Sequence, residues 1–296
     1  MGEPDLFKSA VENQWCPGCS NFGILAALQQ ALGKLGKRPH EVCLVSGIGQ
    51  AAKLPHYLSA NVFNGLHGRA IPAATGIAVA NPSLTTIVTS GDGDLYGEGG
   101  NHLLHALRRN PNLTVVVHNN ELYALTKGQA SPTTPLGEKT RLQAQGVEIE
   151  PLQMLAIAIL QDAPLVARGF AGDVPTLSQV FVQAIAQPGL SLVEVVQPCL
   201  TWGTHPTAWY RERTAPVPAS HDPHDREASI QLANDRERIW IGVLYRGTPR
   251  PVFASRYHDR TGRRPLAELP AITPAEVARR LEPFRMKRTN VKEERP

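Results

Sequence analysis

The chain has 296 residues, 42% hydrophobic and 19% charged, a length that buries a full core and holds one large domain with an extension or two small domains. No apolar run approaches the roughly 20 residues that span a bilayer, and no signal-peptide core opens the chain, so no membrane association and a cytoplasmic location are expected. The net charge of +4 comes from residues 211–296, which carry 18 Lys+Arg against 12 Asp+Glu; acids and prolines interrupt them, the pattern of a solvated or partner-facing surface rather than of a nucleic-acid-binding one.

Of four cysteines, too few for a disulfide scaffold, two form Cys16-Pro-Gly-Cys19. A CxxC in a reducing compartment is redox-active or metal-binding, and two incidental cysteines is the plainer alternative. The residues before it, Ser9 to Trp15, do not make the strand that a thioredoxin-like motif needs. Ser20-Asn21 can cap a helix from Phe22 to about Leu35. Strand Val42 to Ser46 ends in the turn Gly47-Ile48-Gly49. A loop from Asn64 to Arg69 leads to a small-residue helix, Ala73 to Ala80. Strand Leu84 to Ser90 is short, apolar and β-branched, and ends at Gly91-Asp92-Gly93-Asp94. A helix from Gly97 to Arg109 spaces His102, Leu103, Ala106 and Leu107 along one face. Strand Leu113 to His118 then runs into Asn119-Asn120-Glu121-Leu122. After a polar loop, Thr126 to Pro135, come a helix near Leu152–Leu160, strand Leu165–Gly169, a helix near Leu177–Ala186 and strand Ser191–Val196, which delivers Cys199. Beyond Trp202 periodicity weakens, and only Ile239 to Tyr245 reads as a strand, with a short helix at Pro274–Phe284. The pattern predicts an α/β domain with a mostly parallel, doubly wound sheet over residues 1–200 and an irregular C-terminal extension over 201–296 that faces a partner.

Strand, helix and strand around Asp92 make a βαβ unit, so Asp92 and Asn120 emerge at the carboxyl edge of one sheet, where such sheets bind ligands. Two hard oxygen ligands are too few to cage an ion. Mg²⁺ tolerates so sparse a site because it keeps waters and takes further oxygens from substrate phosphates. The glycines allow close approach of a diphosphate, so the residues point to a Mg²⁺–diphosphate site. A GDG alone often marks only a tight turn; the arrival of Asn119-Asn120 at the end of the next strand, 28 positions from Asp92 to Asn120, makes it specific.

This spacing resembles the thiamine diphosphate motif, which implies that Asp92, Asn120 and the backbone carbonyl of Leu122 hold Mg²⁺ against the cofactor. Together with Trp15-Cys-Pro-Gly-Cys-Ser-Asn-Phe-Gly23, Leu54-Pro-His-Tyr57, Leu66-His-Gly-Arg69 and Leu125-Thr-Lys-Gly-Gln-Ala-Ser-Pro-Thr133, the chain resembles the β subunits of 2-oxoacid:ferredoxin oxidoreductases, nearest the 2-oxoglutarate type. The resemblance is dense over residues 10–200. It implies the thiamine diphosphate-binding fold and CoA-dependent oxidative decarboxylation of a 2-oxoacid, 2-oxoglutarate to succinyl-CoA and CO₂, or the reverse as CO₂ fixation. The same resemblance implies that electrons pass to ferredoxin through a 4Fe–4S cluster on Cys16, Cys19 and Cys199. It further implies an α subunit carrying the pyrimidine-binding domain, in an αβ heterodimer or (αβ)₂ assembly, without which the chain is inactive.

Gly47, Ile48, Gly49, His67, Gly68, Gly91, Gly93, Asp94, Leu125 and Thr126 are the further expected cofactor contacts. Lys53 and His67 are the catalytic candidates: Lys53 to neutralise a substrate carboxylate, His67 with Arg69 to touch cofactor or substrate. The plain alternatives are a surface lysine and a loop-stabilising pair. Many relatives of this kind have a fourth cluster cysteine where this chain has Gln50. Cys43 lies seven residues upstream inside a strand, roughly 20 Å or more away if extended, and cannot replace it. The fourth ligand is then a non-cysteine group or a partner's cysteine, or the cluster is three-iron or absent. A split-subunit thiamine-dependent 2-oxoacid decarboxylase without a cluster is the alternative activity, and a zinc-stabilised binding module the non-enzyme reading.

Overall fold

The computed structural model describes residues 4–285. In chain order the elements are α1 (Asn21–Lys34), β1 (Val42–Ser46), β2 (Asn61–Asn64), α2 (Ala70–Ala80), β3 (Thr85–Gly91), α3 (Gly100–Arg109), β4 (Leu113–Asn119), the hairpin strands β5 (Leu122–Tyr123) and β6 (Gln129–Ala130), and α4 (Met154–Leu160). There follow β7 (Leu165–Phe170), α5 (Val174–Ala186), β8 (Leu190–Val196), α6 (Thr207–Arg213), β9 (Thr214–Pro216), α7 (Arg226–Asn234), β10 (Ile239–Tyr245), α8 (Ser255–Arg260) and α9 (Pro274–Leu281). Eight strands form one sheet in the order β2-β1-β3-β4-β8-β7-β10-β9. All neighbours run parallel except β7 and β10.

A parallel sheet must be covered on both faces, because its crossovers place helices there. The strand alternation shows the two layers. Leu44, Ile87, Val116 and Val193 pack toward α1 and α5, with Phe7 and Trp15. Cys43, Val45, Val88, Val115 and Leu192 pack toward α2, α3, α4 and α7. On α2 the buried Ala70, Ala74 and Ala78 recur every four residues, a small-residue stripe that lets the helix lie close on the sheet.

The expected parallel strands are all present, each within a residue or so of its predicted bounds. The helices expected from Ala73 and Leu177 begin at Ala70 and Val174, the loop after Thr126 holds β6, and three larger differences stand out. Asn61–Asn64 is an edge strand beside β1 and is exposed throughout, so it carries no apolar alternation to read. The helix expected from Gly97 starts at Gly100. Before it, Gly93–Glu98 winds as a single wide turn, closed by the Gly99 amide donating to the Asp94 carbonyl at 2.8 Å. A Cβ on Gly93 or Gly97 would sit 2.4 Å and 2.6 Å from the Tyr123 ring and hydroxyl, so this backbone lies directly on a tyrosine. Finally, the stretch after residue 201 is continuous with the sheet. It supplies β9 and β10, and the Ala233 carbonyl at the end of α7 accepts from Arg168, which also pairs with Glu194 at 3.2 Å. Among the described residues no helix is long and apolar enough to cross a membrane.

Candidate functional site

β3 and β4 are neighbours with Gly91 opposite His118, so Asp92 leaves one strand abreast of Asn119 and Asn120 leaves the other one place further on. The Asp92 side chain is buried, and burial pushes its carboxyl up to about 6 against the hydrogen bonds it receives. Ser131 and Thr133 donate to its Oδ2 at 2.5 Å and 2.6 Å. Thr133 also reaches Asn119 Oδ1 at 2.8 Å. Asn120 Oδ1 accepts from the Leu122 amide at 3.2 Å, which folds the chain back after β4. A buried carboxylate, a carboxamide and an adjacent loop carbonyl are hard oxygen donors suited to Mg²⁺. A cation there would favour the ionised form that burial disfavours. Asp92, Asn120 and Leu122 supply oxygen donors of that kind from one stretch of sheet edge, with Thr133 linking Asp92 to Asn119.

Asp94 has a different task. Its Oδ1 accepts from the Ile48 amide at 3.2 Å, the Gly68 amide at 2.8 Å and His67 Nδ1 at 2.7 Å, while Ser90 donates to Oδ2 at 2.8 Å. One buried carboxylate thus clamps the Gly47-Ile48-Gly49 turn and the His67-Gly68 loop to the start of the wide turn. A Cβ on Gly47 would lie 1.8 Å from Asp94 Oδ2. Gly47 is glycine because the clamp occupies that space. Gly49, at φ +112, is glycine for its backbone conformation. Ile48 and the His67 ring stay exposed on this edge, and Lys53 is half-buried on the turn Ala51–Tyr57.

Cys16, Cys19 and Cys199 border one mostly apolar cavity of ≈ 40 Å³, together with Asn21, Gln50, Asn120 and Gln197. Burial pushes the Cys19 thiol up, the Asn21 amide pulls the other way, and the neighbouring Cys199 and Cys16 add to the rise. Loop and strand are tied here by Ser20, which donates to the Pro198 carbonyl. Among the described residues no three His, Cys, Asp or Glu side chains form a group that could hold a single ion. A tetrahedral zinc needs its thiolates converging on one point at about 2.3 Å, whereas a multi-iron cluster takes thiols spread around a cavity. Three cysteines bordering one cavity are donors of the kind an iron–sulfur cluster takes. Cys43 is buried in the opposite layer, away from this cavity.

Leu125 and Thr126 lie at the exposed tip of the β5–β6 hairpin. The Ser131 and Thr133 contacts to Asp92 were not predicted; the hydroxyl run Ser131-Pro-Thr-Thr134 in an otherwise polar loop was their one signal. Also unpredicted is Glu121, held in the left-handed region at φ +62. Burial pushes its carboxyl up to about 7, and Tyr210 on α6 donates to it at 3.1 Å. Glu121 borders a cavity of ≈ 500 Å³ between the sheet edge and α6. His118, buried beneath the site, is pushed down to about 3 by burial and so is neutral; it bonds Thr89 at 2.9 Å and Asn21 at 2.8 Å, joining β3, β4 and α1.

Residues 44–195 match the family model of the C-terminal thiamine pyrophosphate-binding domain of thiamine pyrophosphate enzymes, and residues 199–260 that of the C-terminal part of the pyruvate ferredoxin oxidoreductase beta subunit. The chain is 41% identical over 264 residues to the 2-oxoacid:ferredoxin oxidoreductase subunit beta of Saccharolobus solfataricus, covering 84% of this chain and 87% of that one. It is 41% identical over 193 residues to the 2-oxoglutarate oxidoreductase subunit KorB of Mycobacterium tuberculosis, covering 65% and 52% respectively. The solved 2-oxoglutarate:ferredoxin oxidoreductase from Magnetococcus marinus, with 2-oxoglutarate, coenzyme A and succinyl-CoA bound, superposes with a TM-score of 0.84 at 33% identity, over 88% of this chain and 91% of that one.

Proposed function

Because the chain belongs to the β-subunit family of 2-oxoacid:ferredoxin oxidoreductases, we propose that it joins an α subunit carrying the pyrimidine-binding domain to convert a 2-oxoacid, coenzyme A and two oxidised ferredoxins into acyl-CoA, CO₂, two reduced ferredoxins and a proton. Thiamine diphosphate supplies the electron sink for decarboxylation, and a cluster of the 4Fe–4S type supplies one-electron steps. Asp92, Asn120 and the Leu122 carbonyl would hold Mg²⁺ and the diphosphate; Cys16, Cys19 and Cys199 would hold the cluster. Asp94 presents the Gly47–Gly49 turn and His67 to the same edge, and Lys53 faces a substrate carboxylate from the following turn. Substrate contacts on the 2-oxoglutarate side are favoured by the relatives that act on that acid. Read backwards, the same equation fixes CO₂.

The observation that carries this reading is the position of Asn120. It follows the strand beside Asp92 and also borders the cavity of the three thiols, so the proposed diphosphate site and the thiols would share one stretch of edge. The C-terminal stretch is the proposed partner-facing surface, since Ile272, Val277, Leu281 and Phe284 on and around α9 leave apolar side chains exposed. The test is to purify the chain anaerobically with its co-purifying partner. Bound thiamine, iron, and ferredoxin reduction that depends on 2-oxoglutarate and coenzyme A are expected, with no turnover by the chain alone. A colourless complex that decarboxylates without reducing ferredoxin would replace this reading with the split decarboxylase.

A further inference from the structure

The three thiols leave one corner of a four-iron cluster without a protein ligand, and one atom at this cavity is conspicuously free. Among the described residues only three buried side-chain polar atoms lack a hydrogen-bond partner, and of these Gln50 Oε1 alone belongs to a residue bordering the thiols. An orphaned buried acceptor is destabilising, so its persistence needs a reason.

Three other carboxamides border the same cavity, and each already makes a hydrogen bond. Asn21 Oδ1 bonds His118 at 2.8 Å, Asn120 Oδ1 accepts from the Leu122 amide at 3.2 Å, and the Gln197 amide nitrogen donates to Ser20 Oγ at 3.2 Å. The backbone of Gln50 is fixed by the loop that carries the thiols. Trp15, immediately before Cys16, donates from its indole to the Gln50 carbonyl at 2.8 Å, and is itself packed edge-on against Phe22 and Tyr57. Movement of the Cys16-Cys19 loop therefore carries Gln50 with it.

We propose that the side-chain carbonyl of Gln50 is the fourth protein ligand of the centre held by Cys16, Cys19 and Cys199, so that one iron of the cluster is oxygen-ligated. This rests on the cluster reading given above. A neutral oxygen in place of a thiolate removes one negative charge from the ligand set and raises the reduction potential. It also leaves the fourth iron more weakly held than the three on sulfur.

The test uses the anaerobically purified complex with its partner subunit, as wild type, Gln50→Cys and Gln50→Ala, with Cys43→Ala as a control that keeps its iron. Thiamine diphosphate binding by calorimetry reports that each variant is folded. Ferricyanide can convert [4Fe–4S]²⁺ to [3Fe–4S]⁺ and Fe²⁺, itself accepting the one electron released. The wild type should hold about four irons per chain and convert readily, as read by electron paramagnetic resonance. Gln50→Cys should resist conversion and show a lower midpoint potential, and Gln50→Ala should lose about one iron as isolated. Identical iron content, conversion and midpoint in all three would overturn the ligand while leaving the cluster in place. A wild-type complex with zinc or no metal would instead overturn the cluster reading itself.

Discussion

At the scale of single residues the site depends on how Asp92 is held. Its carboxylate is buried and takes two short hydroxyl bonds, from Ser131 and Thr133, on one oxygen. Asp92→Ala removes one of the very few protein ligands proposed for Mg²⁺, and loss of measurable thiamine diphosphate binding in its presence is expected by calorimetry. Wild-type affinity in that variant would refute the assignment. Thr133→Val keeps the shape but deprives Asp92 and Asn119 of a donor. Asp92 keeps Ser131 and Asn119 keeps the Glu121 amide, so loss of this hydroxyl should lower stability in urea denaturation by about 1 kcal/mol, with a matching loss of cofactor affinity. An unchanged midpoint and affinity would show that the hydroxyl contributes nothing.

At the scale of elements, Asp94 joins two loops through one side chain. Asp94→Ala strands the Ile48 and Gly68 amides, leaves the Ser90 hydroxyl only its 3.4 Å contact to the Ile48 carbonyl, and vacates the space beside Gly47. Destabilisation on the order of 3 kcal/mol is expected, together with faster limited proteolysis at residues 47–49 and 65–69; resistance equal to wild type would sink the clamp. The elements bear on what a sequence discloses. β1, β3, β4, β7 and β8 were legible because strands buried on both faces must be short unbroken apolar runs. That Asp92 and Asn120 stand at one sheet edge was legible because each follows such a run. β2 was not, since Asn61 and Asn64 frame an exposed edge; nor was β9, three residues held by tertiary pairing with β10. Ser131 and Thr133 find Asp92 across 39 and 41 positions through a hairpin, a closure that no local pattern encodes.

At the scale of the whole molecule, residues beyond 201 complete the sheet. β10 covers the edge of β7, and α7 supplies a carbonyl to the partly buried Arg168. Truncation after Thr201 would expose a long apolar parallel strand as an edge and remove that acceptor, so insoluble expression is expected. A soluble, thiamine-binding 1–201 fragment would show instead that the extension is dispensable. The order of assembly carries a further consequence. Cys16 and Cys19 precede every strand of the sheet, while Cys199 lies just past β8, the strand that seats itself between β4 and β7. During synthesis the early pair leaves the ribosome long before its third companion, and the last thiol comes into place only as the central strands close. A nascent chain therefore offers only the Cys16–Cys19 pair of the three, and capture of the proposed cluster by the full trio would have to wait until the central strands are threaded.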